Sequence, residues 1–385
     1  MKYPLASKTW EAEEYQAALK VLAGDHYSMG EYTLEFEKAY AKWSGSKYAI
    51  FCNSGSSANL LALSACLENP SFDINPGDEV IVPSVSWSTT YAPILQLGLK
   101  PVLADISLST FNLSPDKVIE KISSKTKIIF AVNLLGVSCD FDALTQICKD
   151  NDLILLEDNC ESMGAEYKGK LTGSFGLVST HSTFFSHHMA TMEGGICLTD
   201  DEMTFEILKS LRAHGWVRNV DNKELFFSVF DSPENDFHER FHFVMPGYNF
   251  RPTEISSAIG IEQLKRLDGF LENRRANAKY FQEKLNSHDC GLTLQKDSGL
   301  SSWFGFGLLS ESEKQRKVIL SKLNKNEIES RPIVSGNMAR QPMFKQFQYS
   351  PDEFPNAEEL HKKGFMIGNH QFDIRPMIDH FFDSL

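Results

Sequence analysis

Between Lys170 and Lys209 the 385-residue chain has no lysine, so that long stretch offers no side-chain amine. Other absences narrow the function classes further. The seven cysteines, Cys52, Cys66, Cys139, Cys148, Cys160, Cys197 and Cys290, are odd in number and scattered, with no C-x-x-C spacing. Neither a disulfide framework nor a zinc site is implied, and a reducing cytoplasm is the expected setting. No uninterrupted apolar run approaches the roughly 20 residues that span a bilayer, and the start, M-K-Y-P-L-A-S-K-T-W, lacks an apolar signal core. No membrane partner is expected. Positive charge is also in deficit, 38 Lys and Arg against 51 Asp and Glu for a net charge of -13. Nucleic acids and anionic surfaces reward clustered cations, so a small-molecule partner fits better. There is no internal repeat, low-complexity tract or flexible Gly/Ser linker.

What is present is an α/β grammar. Thr9 is placed to cap a first helix, with Tyr15, Ala18, Leu19 and Leu22 at helical spacing, and Phe36, Ala39, Tyr40 and Trp43 mark a second that ends before Gly45. From Tyr48 strands alternate with helices: strands are expected at 48–52, 79–83, 102–105, 127–133 and 153–156, with helices at 58–67, 89–97 and 141–149. A further helix starts at Ser114–Pro115. That alternation predicts a mostly parallel sheet covered on both faces. The segment Asp221 to Arg240 reads as a long loop, Pro252 to Leu285 as a long helix, and Trp303 to Leu309 as a strand of a smaller α/β unit. The expected division is a large unit over 1–250, N-terminal helices included, and a small one over 251–385.

Four segments carry chemistry. The turn S-G-S-S at Ser54–Ser57, between a strand and a helix, offers backbone N–H groups and hydroxyls to an anion, although a purely structural cap would look the same. V-P-S-V-S-W, Val82 to Trp87, ends a strand where open α/β sheets place ligands, and Trp87 is free either to stack on a planar ring or to fill the core. In I-L-L-E-D-N-C-E-S-M-G-A, Ile154 to Ala165, an acidic pair closes an apolar strand and needs a partner if buried. A protonated ring nitrogen would serve Asp158, as would the start of the next helix. Lastly, S-T-F-F-S-H-H-M-A-T-M-E-G-G, Ser182 to Gly195, places adjacent histidines where no lysine stands.

Together with S-M-G-E-Y-T-L-E-F-E near the start and Y-N-F-R-P-T-E-I-S-S-A-I-G-I-E-Q-L at Tyr248–Leu264, these segments resemble, over nearly the whole chain, the sugar aminotransferase family of fold-type I pyridoxal phosphate enzymes. The resemblance implies an aspartate-aminotransferase-like α/β fold and a pyridoxal or pyridoxamine phosphate cofactor. In that family a Schiff-base lysine stands six positions before the Glu of E-G-G, and here that position is His187. Histidine forms no Schiff base but moves protons near neutral pH. The wording around it is similar to a dehydratase branch of the family, which implies non-covalent cofactor, L-glutamate as amino donor, a GDP-linked 4-keto-6-deoxy sugar as substrate and a homodimer with shared sites. By the same resemblance His187 is catalytic. Gly55, Ser56 and Ser182 would bind the phosphate, Trp87 would stack on the ring, Asp158 would pair with its nitrogen, Glu161 would line the cofactor site, and Asn249 would reach the partner's cofactor. His188 and His214 would belong to the substrate pocket.

Three other readings stay open at this stage. A CDP-sugar 3-dehydrase would need an iron–sulfur cluster, whose C-x-C pair is missing here. A true aminotransferase would need a lysine from elsewhere, such as Lys168 or Lys170 beside Gly169. A cofactor-binding protein without turnover is the third. No metal is expected.

Overall fold

A computed structural model describes every residue from Met1 to Leu385. Seven strands make the main sheet: β1 (Tyr48–Cys52), β2 (Glu79–Pro83), β3 (Lys100–Ala104), β4 (Thr126–Val132), β5 (Ile154–Asp158), β6 (Val178–Ser182) and β7 (Gly195–Thr199). Their spatial order is β1-β7-β6-β5-β4-β2-β3, and only β7 runs against the rest. Both faces are covered, which the side chains show by alternation. Val80, Val82, Ile128 and Phe130 point into one apolar cluster, shared with Leu61 and Leu63, while Ile81, Ile129 and Ala131 point into another, shared with Leu144 and Ile147. Burial on two faces is why these strands read as continuous apolar runs rather than alternating ones. Each fully buried large aliphatic contributes about 1.5–3 kcal/mol.

The expected α/β architecture is therefore present, with differences at its edges. The third helix starts at Gly55, three residues before the expected Ala58, because the Ser54 hydroxyl accepts the Ser57 N–H at 3.1 Å and caps it there. Strands β6 and β7 were not anticipated. Val178-Ser-Thr-His-Ser182 looks too polar for the centre of a sheet, yet all five residues are buried. The expected loop over Asp221–Arg240 contains two short helices, Lys223–Phe227 and Asp236–Glu239, each started by an asparagine whose side chain accepts backbone N–H groups.

A second, antiparallel sheet is built from β8 (Leu292–Leu294), β9 (Gly305–Ser310), β10 (Ser330–Arg331) and β11 (Gly364–Gly368), in the order β8-β9-β11-β10. Its core gathers Phe281, Phe306, Ile367 and Phe381, and Tyr3 joins it, donating its hydroxyl to the Gly368 carbonyl at 2.6 Å. The long helix Glu254–Ser287 bridges the two cores. At its start Glu254 accepts the N–H groups of Gly30, Tyr32 and Thr33, tying it to helix Glu31–Ser44, and towards its end Ala278 and Phe281 enter the second core. No helix is long and apolar enough to cross a membrane.

Candidate active site

The parallel strands all end on one edge, and their exit loops meet there. Residues after β1, β2, β4, β5 and β6, together with Arg331 of β10, surround a cavity of about 320 Å³. Open α/β sheets bind ligands at this edge, since diverging loops leave a crevice. No lysine lines it.

On one side lies the start of helix Gly55–Glu68. The N–H groups of Gly55 and Ser56 sit in its first turn, where no intrahelical acceptor exists, and both residues face the cavity. Gly55 is required by proximity: a Cβ there would stand 2.7 Å from Ser182 Cβ and 3.0 Å from its Oγ. The close approach of these two strand exits makes a small cradle of N–H and hydroxyl donors, suited to a phosphate.

At the end of β5 the two acids separate. Glu157 turns away from the cavity, where its carboxylate accepts the N–H groups of Gly173, Phe175 and Gly176 at 2.6–2.8 Å. Burial pushes its pKa up, against those donors. Asp158 instead lines the cavity while buried to 5% exposure. Its Oδ2 accepts from Asn59 Nδ2 and Thr90 Oγ1, both at 2.9 Å, and its Oδ1 accepts the Cys160 N–H at 3.1 Å. Three donors converge on this buried carboxyl group and fix it at the cavity wall, where it is an acceptor that a protonated ring nitrogen fits. Glu161, one turn further, accepts the Leu135 N–H at 3.1 Å, and burial raises its pKa despite the attraction of Arg331. Trp87, 57% exposed, flanks the opening just before helix Ser88–Gln96.

Ser182–Gly195 leaves β6, turns and returns as β7. It is not extended at the histidines: the His187 N–H donates to the Phe184 carbonyl at 2.9 Å, closing a turn. The His187 ring lines the cavity, with Phe184 and Phe304 edge-on at 5.9 and 5.2 Å and its Nδ1 buried without a partner. Desolvation first, then the charges of Arg331 and Arg274, bring its pKa down to about 3. Both causes favour the neutral imidazole over the imidazolium. His188 points the other way, fully buried, its Nε2–H donating to the Ser302 carbonyl at 3.2 Å.

The structure thus brings Gly55, Ser56, Trp87, Asp158, Glu161, Ser182 and His187 together. It does not bring His188, His214 or Asn249 to the same cavity. The last two are exposed neighbours, joined through the bridge between Ala213 and Asn249. Lys168 and Lys170 lie in the hairpin Glu166–Leu171, away from the cavity, with Lys168 paired to Asp142. Sequence reasoning missed Arg331, the only Lys or Arg at the cavity, and Phe304, which packs on His187. Neither sits in a motif. A two-residue edge strand and the residue preceding a strand leave no periodic signal.

The fit to pyridoxal phosphate is chemically complete in the donor cradle and the buried acceptor, and a lysine is what it lacks. Comparison with known proteins agrees. A model of the DegT/DnrJ/EryC1/StrS aminotransferase family matches residues 8–372. A GDP-4-keto-6-deoxy-D-mannose 3-dehydratase of Escherichia coli O55:H7 is 46% identical over 384 residues, covering 99% of this chain and 98% of the relative. The solved E. coli GDP-4-keto-6-deoxy-D-mannose-3-dehydratase with bound hydrated PLP superposes with a TM-score of 0.94 at 46% identity, covering 100% of this chain and 99% of that one. A histidine-to-asparagine mutant of a GDP-4-keto-6-deoxymannose-3-dehydratase, with bound GDP-perosamine, gives 0.93 at 45% identity and covers both chains fully.

Proposed function

The chain belongs to the DegT/DnrJ/EryC1/StrS aminotransferase family, and from that premise we propose that it removes the C3 hydroxyl of GDP-4-keto-6-deoxy-D-mannose as water. Its cofactor would be pyridoxamine 5′-phosphate, held without a covalent bond and regenerated from the pyridoxal form by L-glutamate. One observation carries this reading: the cavity has imidazole on its wall and no amine. The GDP-sugar dehydratases similar over the whole chain support the nucleotide and the sugar.

In this reading Gly55, Ser56 and Ser182 hold the phosphate, Trp87 covers one face of the ring, Asp158 pairs with the ring nitrogen and Glu161 closes the pocket beside it. Bound there, the cofactor supplies an amine for the sugar's C4 ketone and a protonated ring that accepts electrons. His187 takes a proton from the cofactor's methylene carbon as a base. The imidazolium so formed then delivers that proton to the C3 hydroxyl, which leaves as water. A depressed basicity makes the second half favourable, because the desolvated imidazolium gives its proton up readily. With no lysine to capture the cofactor, hydrolysis would return it in its aldehyde form and free the nitrogen left on C4 as ammonia, water supplying the C4 ketone oxygen of the product. Glutamate restores the amine form and departs as 2-oxoglutarate, and Arg331 offers its carboxylates a cation.

Asn249 and His214 take their place in this reading through a homodimer, each chain presenting the exposed pair to its partner's cavity. The seven free thiols suit a reducing cytoplasm. The nucleotide is tested by comparing GDP- and CDP-linked 4-keto-6-deoxy sugars at equal concentration, with glutamate, following ammonia. We expect kcat/KM at least about 100-fold higher for GDP, the range that a site hydrogen-bonded to one base reaches against another. Equal rates would remove GDP from the proposal.

A further inference from the structure

Behind His187 the ring of Phe304 touches both histidines, with centroids 5.2 Å from His187 and 5.7 Å from His188. Phe304 belongs to a short strap, Ser302–Phe304, that is fastened on two sides. Towards the main sheet, Ser302 N–H donates to the Gly136 carbonyl and Phe304 N–H to that of Leu135, both at 3.0 Å. Trp303 and Leu135 face each other across this pairing with φ of 47° and 55°, left-handed conformations rarely adopted by large side chains. A Cβ on Gly136 would stand 2.6 Å from Trp303 N, so the two segments are as close as backbone allows.

On its other side the strap meets Arg274 of the long helix. One guanidinium nitrogen of Arg274 donates to the carbonyls of Asn369 at 2.9 Å, Phe304 at 3.1 Å and Trp303 at 3.4 Å. The residue is 3% exposed, and its hydrogen-bond partners are carbonyls rather than a carboxylate. An unpaired buried cation costs several kcal/mol, and an apolar or amide side chain would avoid that cost. The charge lies near His187, His188 and His370, each of which it disfavours as a second cation.

We propose that Arg274 is a positioning residue for the proton carrier. It clamps the Trp303 and Phe304 carbonyls so that the Phe304 ring fixes His187 at the cavity wall, and it holds an unpaired cation behind that wall. The inference rests on the reading of His187 given above. Other charged or titratable groups line the same cavity: Arg331 from β10, whose charge acts in the same direction as Arg274, Asp158 at the end of β5, Glu161 beyond it and Glu193 on the histidines' own loop. His188, on the same loop, and Cys160 complete the set.

The test is kcat/KM against pH for the full-length enzyme with cofactor, sugar nucleotide and glutamate. Removing a nearby cation makes the imidazole easier to protonate, so base activity is lost at higher pH as the solution is acidified. Arg274→Met should therefore move the acidic limb up by roughly one pH unit. Arg274→Gln, which removes the charge but keeps an amide donor beside the same carbonyls, should move it the same way and serves if the first variant does not fold. Arg274→Lys keeps the charge but ends in a shorter, flexible ammonium that holds the strap less rigidly than a planar guanidinium. It should leave the limb in place and lower kcat about tenfold, with KM for the sugar unchanged. Unmoved limbs in both Arg274→Met and Arg274→Gln, or full kcat in Arg274→Lys, would overturn the proposal. Should His187→Asn keep full turnover, the function reading fails instead. A dead His187→Asn beside unmoved limbs would sink this inference alone.

Discussion

His187→Asn should lower dehydration by about 10³-fold while the protein still carries its cofactor through gel filtration. Proton transfer by a positioned imidazole is worth about 10²–10⁴-fold, and here one ring is asked to do it twice, first as base and then as acid. Asparagine has no proton to exchange in the working pH range but keeps a polar group of similar reach. The substitution should be mild for the fold. Nδ1 has no hydrogen bond to lose, and the ring meets Phe184 and Phe304 edge-on. Gly55, Ser56 and Asp158 lie on other segments and Ser182 is held in β6, so cofactor absorbance should persist at the stoichiometry of the unaltered protein. Turnover within tenfold of normal would move the proton to another group and leave His187 a wall residue.

Asp158→Asn should cost about 10²–10³-fold in turnover, the loss usual when one preorganised electrostatic contact to the reacting system is removed. An amide cannot keep a pyridine nitrogen protonated, so the ring would no longer draw electrons from the reacting carbon. Some destabilisation accompanies it, because Asn59 Nδ2, Thr90 Oγ1 and the Cys160 N–H all donate to this carboxylate. The control is its neighbour. Glu157→Gln should lower the melting temperature, since the N–H groups of Gly173, Phe175 and Gly176 converge on that carboxylate, yet leave kcat within a few-fold. Turnover and melting temperature measured on both variants separate the roles. Equal losses of kcat in the two would mean that Asp158 acts only through the fold.

Much of this was legible before any coordinates. The alternation of apolar strands with amphipathic helices specifies the sheet because burial on two faces demands apolar runs, and β1 and β2 fall where that rule puts them. Motifs tied to strand ends, Ser54–Ser57, Trp87 and Asp158, converge because parallel strands share one carboxyl edge. What escaped has a physical reason in each case. β6 hides because its Thr180 and His181 are buried by hydrogen bonds and aromatic contacts rather than by apolar burial. In an extended segment, alternation alone would turn His187 and His188 to opposite faces. The structure separates them instead by a turn closed at Phe184 and by the Ser302 carbonyl that claims His188. Arg331 comes from a different sheet, at a distance in sequence that no local pattern bridges. Asn249 and His214 have no partner in their own chain's cavity.

The central claim is that replacing the family's amine by an imidazole turns amino transfer into dehydration. The direct measurement is the product balance when purified enzyme is given GDP-4-keto-6-deoxy-D-mannose, pyridoxal phosphate and nitrogen-labelled glutamate. The account predicts equal amounts of labelled ammonia, 2-oxoglutarate and a 3-deoxy-4-keto sugar that carries no label. A 4-amino sugar holding the label, with its C3 hydroxyl intact, would contradict it.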